Sequence, residues 1–194
     1  MTDSMADLQS TTVVFLRKIQ LDDTASRSGS ILRSLPKPPQ KLLRRDVVQS
    51  RDYSTLYYVV DTLSASLICE KVRENESNFV AEKEDHLSKW KVLFPDPQNL
   101  EPFRVPIAHT NDPLYFLVFF YIKSEYVSQF THLIIEEGKQ IQKHEPKCIR
   151  FDLLQSLEDP ARFLVLEVVQ DWDPIKFHHA QPYYQKVRDA LVEM

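Results

Sequence analysis

His178 is the residue of this 194-residue chain best suited to chemistry. An imidazole titrates near neutral pH, so it can take up and return a proton there while carboxylates and lysines stay in one state. It lies in the stretch Cys148 to Tyr184, which reads as two strands, a short turn and a helix opened by Asp173-Pro174. Glu167 is the second candidate. FLVLEVV is otherwise apolar, and a carboxylate buried in such a strand must be paired or protonated. Both residues also have a structural reading, with His178 bonded to Glu167 or to backbone and Glu167 acting as an anchor. His179 points about 100° away from His178 on a helix, so the two do not make a shared metal site. Asp152 shares a strand face with Arg150 and Leu154; it either lines a cavity or forms an Arg–Asp pair within the sheet. Tyr115, Phe119, Tyr121 and Phe151 suit a pocket for a flat ligand, or plain core.

The elements that must position these residues repeat along the chain. LLRRDVVQS (Leu42 to Ser50) echoes CIRFDLLQS (Cys148 to Ser156) at Arg, Asp, Gln and Ser, which suggests a duplicated unit. Thr12 to Ile19 reads as a strand, 21–35 as a helix interrupted at Gly29, and Leu42 to Ser50 and Leu56 to Val60 as a strand pair. A long helical region from Ser64 to Phe94 follows, broken near Asn75, with Leu87 and Trp90 on its apolar side. Residues 101–109 are expected as an edge strand, and Asn111-Asp112-Pro113 as the boundary between the halves.

In the second half, Leu114 to Ile122 is apolar on both faces, so the expectation is a central strand covered twice. Ser124 is placed to cap a helix carrying Tyr126, Phe130, Leu133, Ile134 and Ile141 on one side, which Glu145-Pro146 stops. Cys148 to Ser156 and Ala161 to Gln170 form a hairpin, and Tyr183 to Val192 a last helix. Each half is then β-α-β-β-α, with a fourth strand only in the first. The resulting fold class is α+β: two ferredoxin-like β-α-β-β-α(-β) repeats packed sheet to sheet as an intrachain barrel. Residues 1–10 are expected as a disordered tail, 11–110 as the first repeat and 111–194 as the second.

Composition narrows the function classes. A net charge of −4 gives no argument for nucleic acid or a membrane surface, and the six Lys/Arg between Arg27 and Arg45 read as a solvated face beside a Pro-rich loop. The two cysteines, Cys69 and Cys148, cannot build a disulfide framework or a zinc site, and the acidic N-terminus is no secretory signal. A cytoplasmic protein is the expectation. With only Gly29 and Gly138 as glycines, a Walker A loop or a Rossmann fingerprint is excluded.

Glu145-Pro146, the strand Cys148 to Ser156, the run Phe163 to Glu167 and the segment His178 to Tyr184 together resemble the antibiotic biosynthesis monooxygenase (ABM) family of dimeric α+β barrels. The family's H-x-x-[ST]-P-H-F pattern stands here as His178-His179-Ala180-Gln181-Pro182-Tyr183-Tyr184. Lys147 replaces a usual Gly, and Tyr183 an often-found His. The resemblance covers 113–192 well and 12–90 only as an echo, in which Tyr58 aligns with Glu167 and Cys69 with His178. It implies a cavity for a small apolar or aromatic ligand and oxygenation of a quinol-type substrate without metal or flavin cofactor. His178 would be the base and Glu167 its catalytic partner, while Asp152, Tyr115, Phe119 and Phe151 would bind substrate. Two other outcomes fit the same resemblance: a non-catalytic binding module, or an isomerase using the same acid–base pair. The assembly expected is a monomer acting as a pseudo-dimer, or a homodimer.

Overall fold

β-branched and aromatic residues crowd Thr12–Gln20 and Leu56–Ser64, and both segments form strands. The computed structural model describes residues 12–20, 42–49, 56–64, 87–96 and 113–194. It divides into two compact units, 1–90 and 91–194.

In the first unit, β1 (Thr12–Gln20), β2 (Leu42–Gln49), β3 (Leu56–Ser64) and the start of β4 (Leu87–Phe94) run in the order β2-β3-β1-β4. β3 is antiparallel to both β1 and β2, with Phe15 and Arg45 each opposite Asp61. Val14, Leu16, Val59, Val60 and Trp90 are buried. Each such side chain contributes roughly 1.5–3 kcal/mol on leaving water. Arg–Asp pairs lie in this sheet. Arg45 grips Asp61 across strands through two bonds of 2.6 Å, and Arg44 grips Asp46 on its own strand at 2.7 and 2.9 Å. The Trp90 indole donates to Ser88 Oγ at 2.8 Å.

β4 corrects the end of the helical region expected from Ser64 to Phe94, of which residues 65–86 lie outside the described residues. Leu87 and Trp90 are three apart, as on a helix, but the buried residues Trp90, Val92 and Phe94 alternate with half-buried Lys91 and Leu93, and that period of two wins. The expected helix at 21–35, the strand at 101–109 and Cys69 lie outside the described residues.

The second unit holds β5 (Leu114–Tyr121), β6 (Cys148–Ser156) and β7 (Arg162–Val169) in the order β6-β7-β5, all antiparallel neighbours. Its helices are α1 (Val127–His144), α2 (Asp173–His179) and α3 (Pro182–Leu191). Among the described strands β5 ends the order rather than lying at its centre, and Tyr121 is 70% exposed. Uniform apolarity does not by itself distinguish a twice-covered strand from an outer one whose aromatics pack sideways. Here Phe120 sits 5.2 Å from Phe130, and Phe116 5.8 Å from Trp172. Ser124 opens a 3-10 turn ahead of α1 and caps no helix with its side chain.

α1 forms because Phe130, Ile134, Glu137, Gly138 and Ile141 recur at helical spacing and turn one stripe inward. Lys143 and His144 in its last turn complement the helix dipole, and Glu145 followed by Pro146 ends it. That stripe packs with Val187 of α3 on a single sheet face, where Phe94, Phe151, Leu153, Phe163 and Val165 complete the core. Phe130 and Phe163 are 4.7 Å apart at its centre. Among the described residues no helix is long and apolar enough to cross a membrane.

Candidate active site

Strand alternation assigns the candidate residues to faces. Phe163 and Val165 pack against the helices, so Glu167, two further along β7, projects the same way. Its partners across the sheet are Phe151 on β6 and Phe116 on β5. Asp152, Tyr115 and Phe119 alternate to the opposite face. Of the expected substrate-binding residues, only Phe151 therefore shares a face with Glu167, and its ring lies edge-on to Phe94 at 6.5 Å within the core. Asp152 is buried and ion-paired with Arg150 on its own strand. Arg44 and Asp46 make the same two-apart pair in the first unit.

α2 delivers His178 to the helix-covered side. Pro174 fixes the first turn, and Ile175 and His178, three apart, form the buried stripe of this short helix. His179 falls on the exposed side and stacks on Tyr184 at 4.5 Å. The same Tyr184 ring meets His178 edge-on at 4.8 Å.

His178 is 4% exposed and set among acids. Its Nδ1 lies 2.8 Å from Glu145 Oε1, which also accepts a 2.5 Å hydrogen bond from the Tyr183 hydroxyl. Its Nε2 is turned toward Glu137 Oε1 at 3.7 Å. That oxygen and Glu167 Oε1 are buried without a hydrogen-bond partner. The charges of Glu145, Glu167 and Glu137 all reach the ring. Glu145 and Glu137 belong to α1 and its C-cap, Glu167 to β7, His178 to α2 and Tyr183 to α3, so four elements of the unit meet at one cluster.

Crowding acids in a poorly hydrated place shifts their protons. Burial pushes Glu137 up to about 7, against the pull of His178, with Glu167 and Glu145 adding to the rise. Glu167 is also raised, mainly by burial. Burial on its own would depress the His178 imidazole. The hydrogen bond and charge of Glu145, with Glu167 and Glu137 behind them, outweigh it and hold the ring above its ordinary value. Burial followed by the two glutamates Glu167 and Glu145 raises the Cys148 thiol, so it stays protonated rather than serving as a nucleophile. Near neutrality the cluster thus combines a His–Glu pair with a carboxyl poised to gain or lose a proton, which is the equipment of general acid–base chemistry.

Sequence reasoning singled out His178 and Glu167 as candidates, and the structure adds Glu145, Glu137 and Tyr183 as neighbours that it did not single out. Glu137 was findable, because it interrupts the apolar stripe between Ile134 and Ile141 at three- and four-residue spacing. Glu145 read as a helix stop and as part of the family resemblance, with no role at the site. A cleft of about 470 Å³ separates α1 from α3 and is lined by Glu137 and Tyr183, so the cluster borders it at two points. Among the described residues no group of three or more His, Cys, Asp or Glu side chains is arranged to hold a metal ion.

Comparisons with known proteins bear on the fold. Residues 113–190 match the sequence model of the family described as antibiotic biosynthesis monooxygenase. No curated protein sequence matches the chain. Among solved structures, a candidate monooxygenase from Fusobacterium nucleatum superposes with a TM-score of 0.70 at 12% identity, covering 95% of this chain and 88% of its own. An anthrone oxidase-like protein gives 0.57 at 12% identity, over 95% and 84%. A ferredoxin-fold protein related to antibiotic biosynthesis monooxygenases, from Listeria monocytogenes, gives 0.54 at 8% identity, over 96% and 87%. At these identities the likeness concerns fold alone. The chain has the α+β, ferredoxin-like fold of ABM-related proteins, and its residues 113–190 carry the match to the ABM family.

Proposed function

We propose that the protein is a cofactor-independent monooxygenase acting on a small aromatic, quinol-type substrate, with His178 as the base. The observation that carries this reading is the buried imidazole, whose Nδ1 is committed to Glu145 at 2.8 Å while Nε2 is left to exchange a proton. Removing a phenolic proton leaves an electron-rich phenolate that can give electrons to oxygen directly. The overall step is balanced without an added reductant: the ring carbon that is CH₂ in the keto tautomer of the phenol becomes C=O, one oxygen atom enters the product, and the other leaves as water with the two hydrogens. Glu145 and Tyr183 hold the ring in place, and Glu167 supplies negative charge that favours the imidazolium formed.

Two units in one chain are part of the proposal, with the first serving as a built-in partner for the second. The Arg–Asp pairs at Arg44/Asp46 and Arg150/Asp152 support it, since they fall at matching places in the sequence echo. A second reading, an isomerase, is favoured by Glu137, which faces His178 as a second proton-handling group.

Oxygen uptake with a panel of electron-rich quinols and phenols tests the first reading. Consumption that disappears in His178→Ala is expected. Equal turnover in that variant removes His178 from the mechanism, and native mass spectrometry of the purified chain reports its assembly and any retained ligand.

A further inference from the structure

A base buried this deeply must lose its proton again before each new cycle, and one side of the ring is already occupied. Nδ1 is held by Glu145, which is itself bonded to Tyr183. Any proton leaving His178 must therefore depart from Nε2. The acceptor facing that nitrogen is Glu137 Oε1, 3.7 Å away and without a hydrogen-bond partner. Glu137 is also a wall residue of the cleft between α1 and α3, where Gln140 and Lys186 stand beside it. It thus touches the histidine on one side and borders the cleft on the other.

We propose that Glu137 relays protons between His178 Nε2 and the cleft between α1 and α3, so that the cleft is the proton port of the site. This deepens the reading of His178 as the base and rests on it. The step is a simple transfer made when Nε2 and Oε1 close from 3.7 Å to hydrogen-bond distance: the N–H bond at Nε2 breaks, an O–H bond forms on Glu137, and the carboxyl then releases the proton to water or buffer in the cleft. A carboxyl that titrates near neutrality, as burial makes this one do, can run the transfer in both directions. The other groups around the ring are less suited. Glu145 is fixed on Nδ1 and Tyr183, Glu167 projects from the sheet without lining the cleft, and the Cys148 thiol and Tyr183 phenol are both pushed up and hold their protons.

The test needs no substrate. In the full chain labelled with ¹⁵N, the His178 ring signals are assigned by their loss in His178→Gln, and exchange of the Nε2 proton with water is followed at neutral pH as phosphate buffer is raised. Exchange should be buffer-dependent in the wild type and at least about tenfold slower in Glu137→Gln, which keeps the side-chain shape. Gln140→Trp, which fills the cleft while leaving Glu137 intact, should abolish the buffer dependence. Unchanged exchange in Glu137→Gln overturns the relay, and buffer dependence that survives in Gln140→Trp overturns the cleft as its port. An intact relay in a protein that consumes no oxygen would count against the monooxygenase reading alone.

Discussion

Nδ1 of His178 lies 2.8 Å from Oε1 of Glu145, across 33 residues of chain. The bond sets the imidazole tautomer, because a carboxylate requires a hydrogen on the nitrogen facing it, and it thereby leaves Nε2 as the basic atom of the neutral ring. Glu145→Gln should accordingly permit both tautomers. Turnover of a quinol substrate should fall by about 10²-fold with little change in KM, and ring ¹⁵N shifts should show mixed protonation. A normal kcat in that variant would mean that the ring is held by packing on Tyr184 alone.

Stability should fall as pH rises, and the sign follows from two groups. Glu137 titrates at about 7 in the folded protein, well above an unfolded glutamate, so between about pH 4.5 and 7 the folded state holds a proton that the unfolded chain has lost. His178 is also raised, and its contribution is complete below the unfolded imidazole value and lost as pH passes the folded one. Both act in the same direction. Chemical denaturation at pH 5.5 and pH 8 should show the loss, on the order of 2 kcal/mol from Glu137 if its shift acted alone. Glu137→Gln mimics the protonated form and should be more stable than wild type at pH 8, with the advantage shrinking as pH falls and vanishing below about pH 4.5.

Gly138 is tightly enclosed. A Cβ at this position would lie 2.6 Å from Phe94 Cε1 and 2.9 Å from Cδ1, and Phe94 is itself buried beside Phe151. Gly138→Ala should destabilise the protein by about 1–3 kcal/mol despite alanine's better helix propensity. Adding Phe94→Leu should recover part of that loss, as measured by urea midpoints.

Asp152→Ala would leave the Arg150 guanidinium buried beside a missing partner. The two side chains are 4% and 2% exposed, so the expected cost is about 3–5 kcal/mol. Replacing both by apolar residues of similar volume should recover most of it. If Asp152→Ala folds as stably as wild type but loses ligand binding, Asp152 belongs to a binding site after all.

How much of this was legible in the sequence depended on local signals. His178 stood out because histidine is chemically distinctive, and Glu167 because a charge interrupts an apolar strand. The hairpin and the Pro-opened helix followed from residues that act on their own backbone. The cluster around His178 was harder to read. Glu145 reaches the ring only through the packing of α1 and α2, 33 residues apart, and such a distance carries no pattern. β4 was misread because Leu87 and Trp90 match a helical spacing by accident, while the alternation that decides the matter begins only at Trp90. The division of Asp152, Tyr115 and Phe119 from Glu167 required knowing which face the helices cover, and alternation alone does not state it.

The Arg–Asp pairs have one more consequence. An arginine and an aspartate two apart on a strand can bond one another whatever strand lies alongside, so this bond does not choose a partner strand. What they choose is its frame. Sliding β6 by a single residue would drive Arg150 and Asp152 onto the face occupied by Phe130 and Ile134, and would send Phe151 and Leu153 the other way. β6 thus carries a charged index mark that makes the slipped pairing far costlier than the true one.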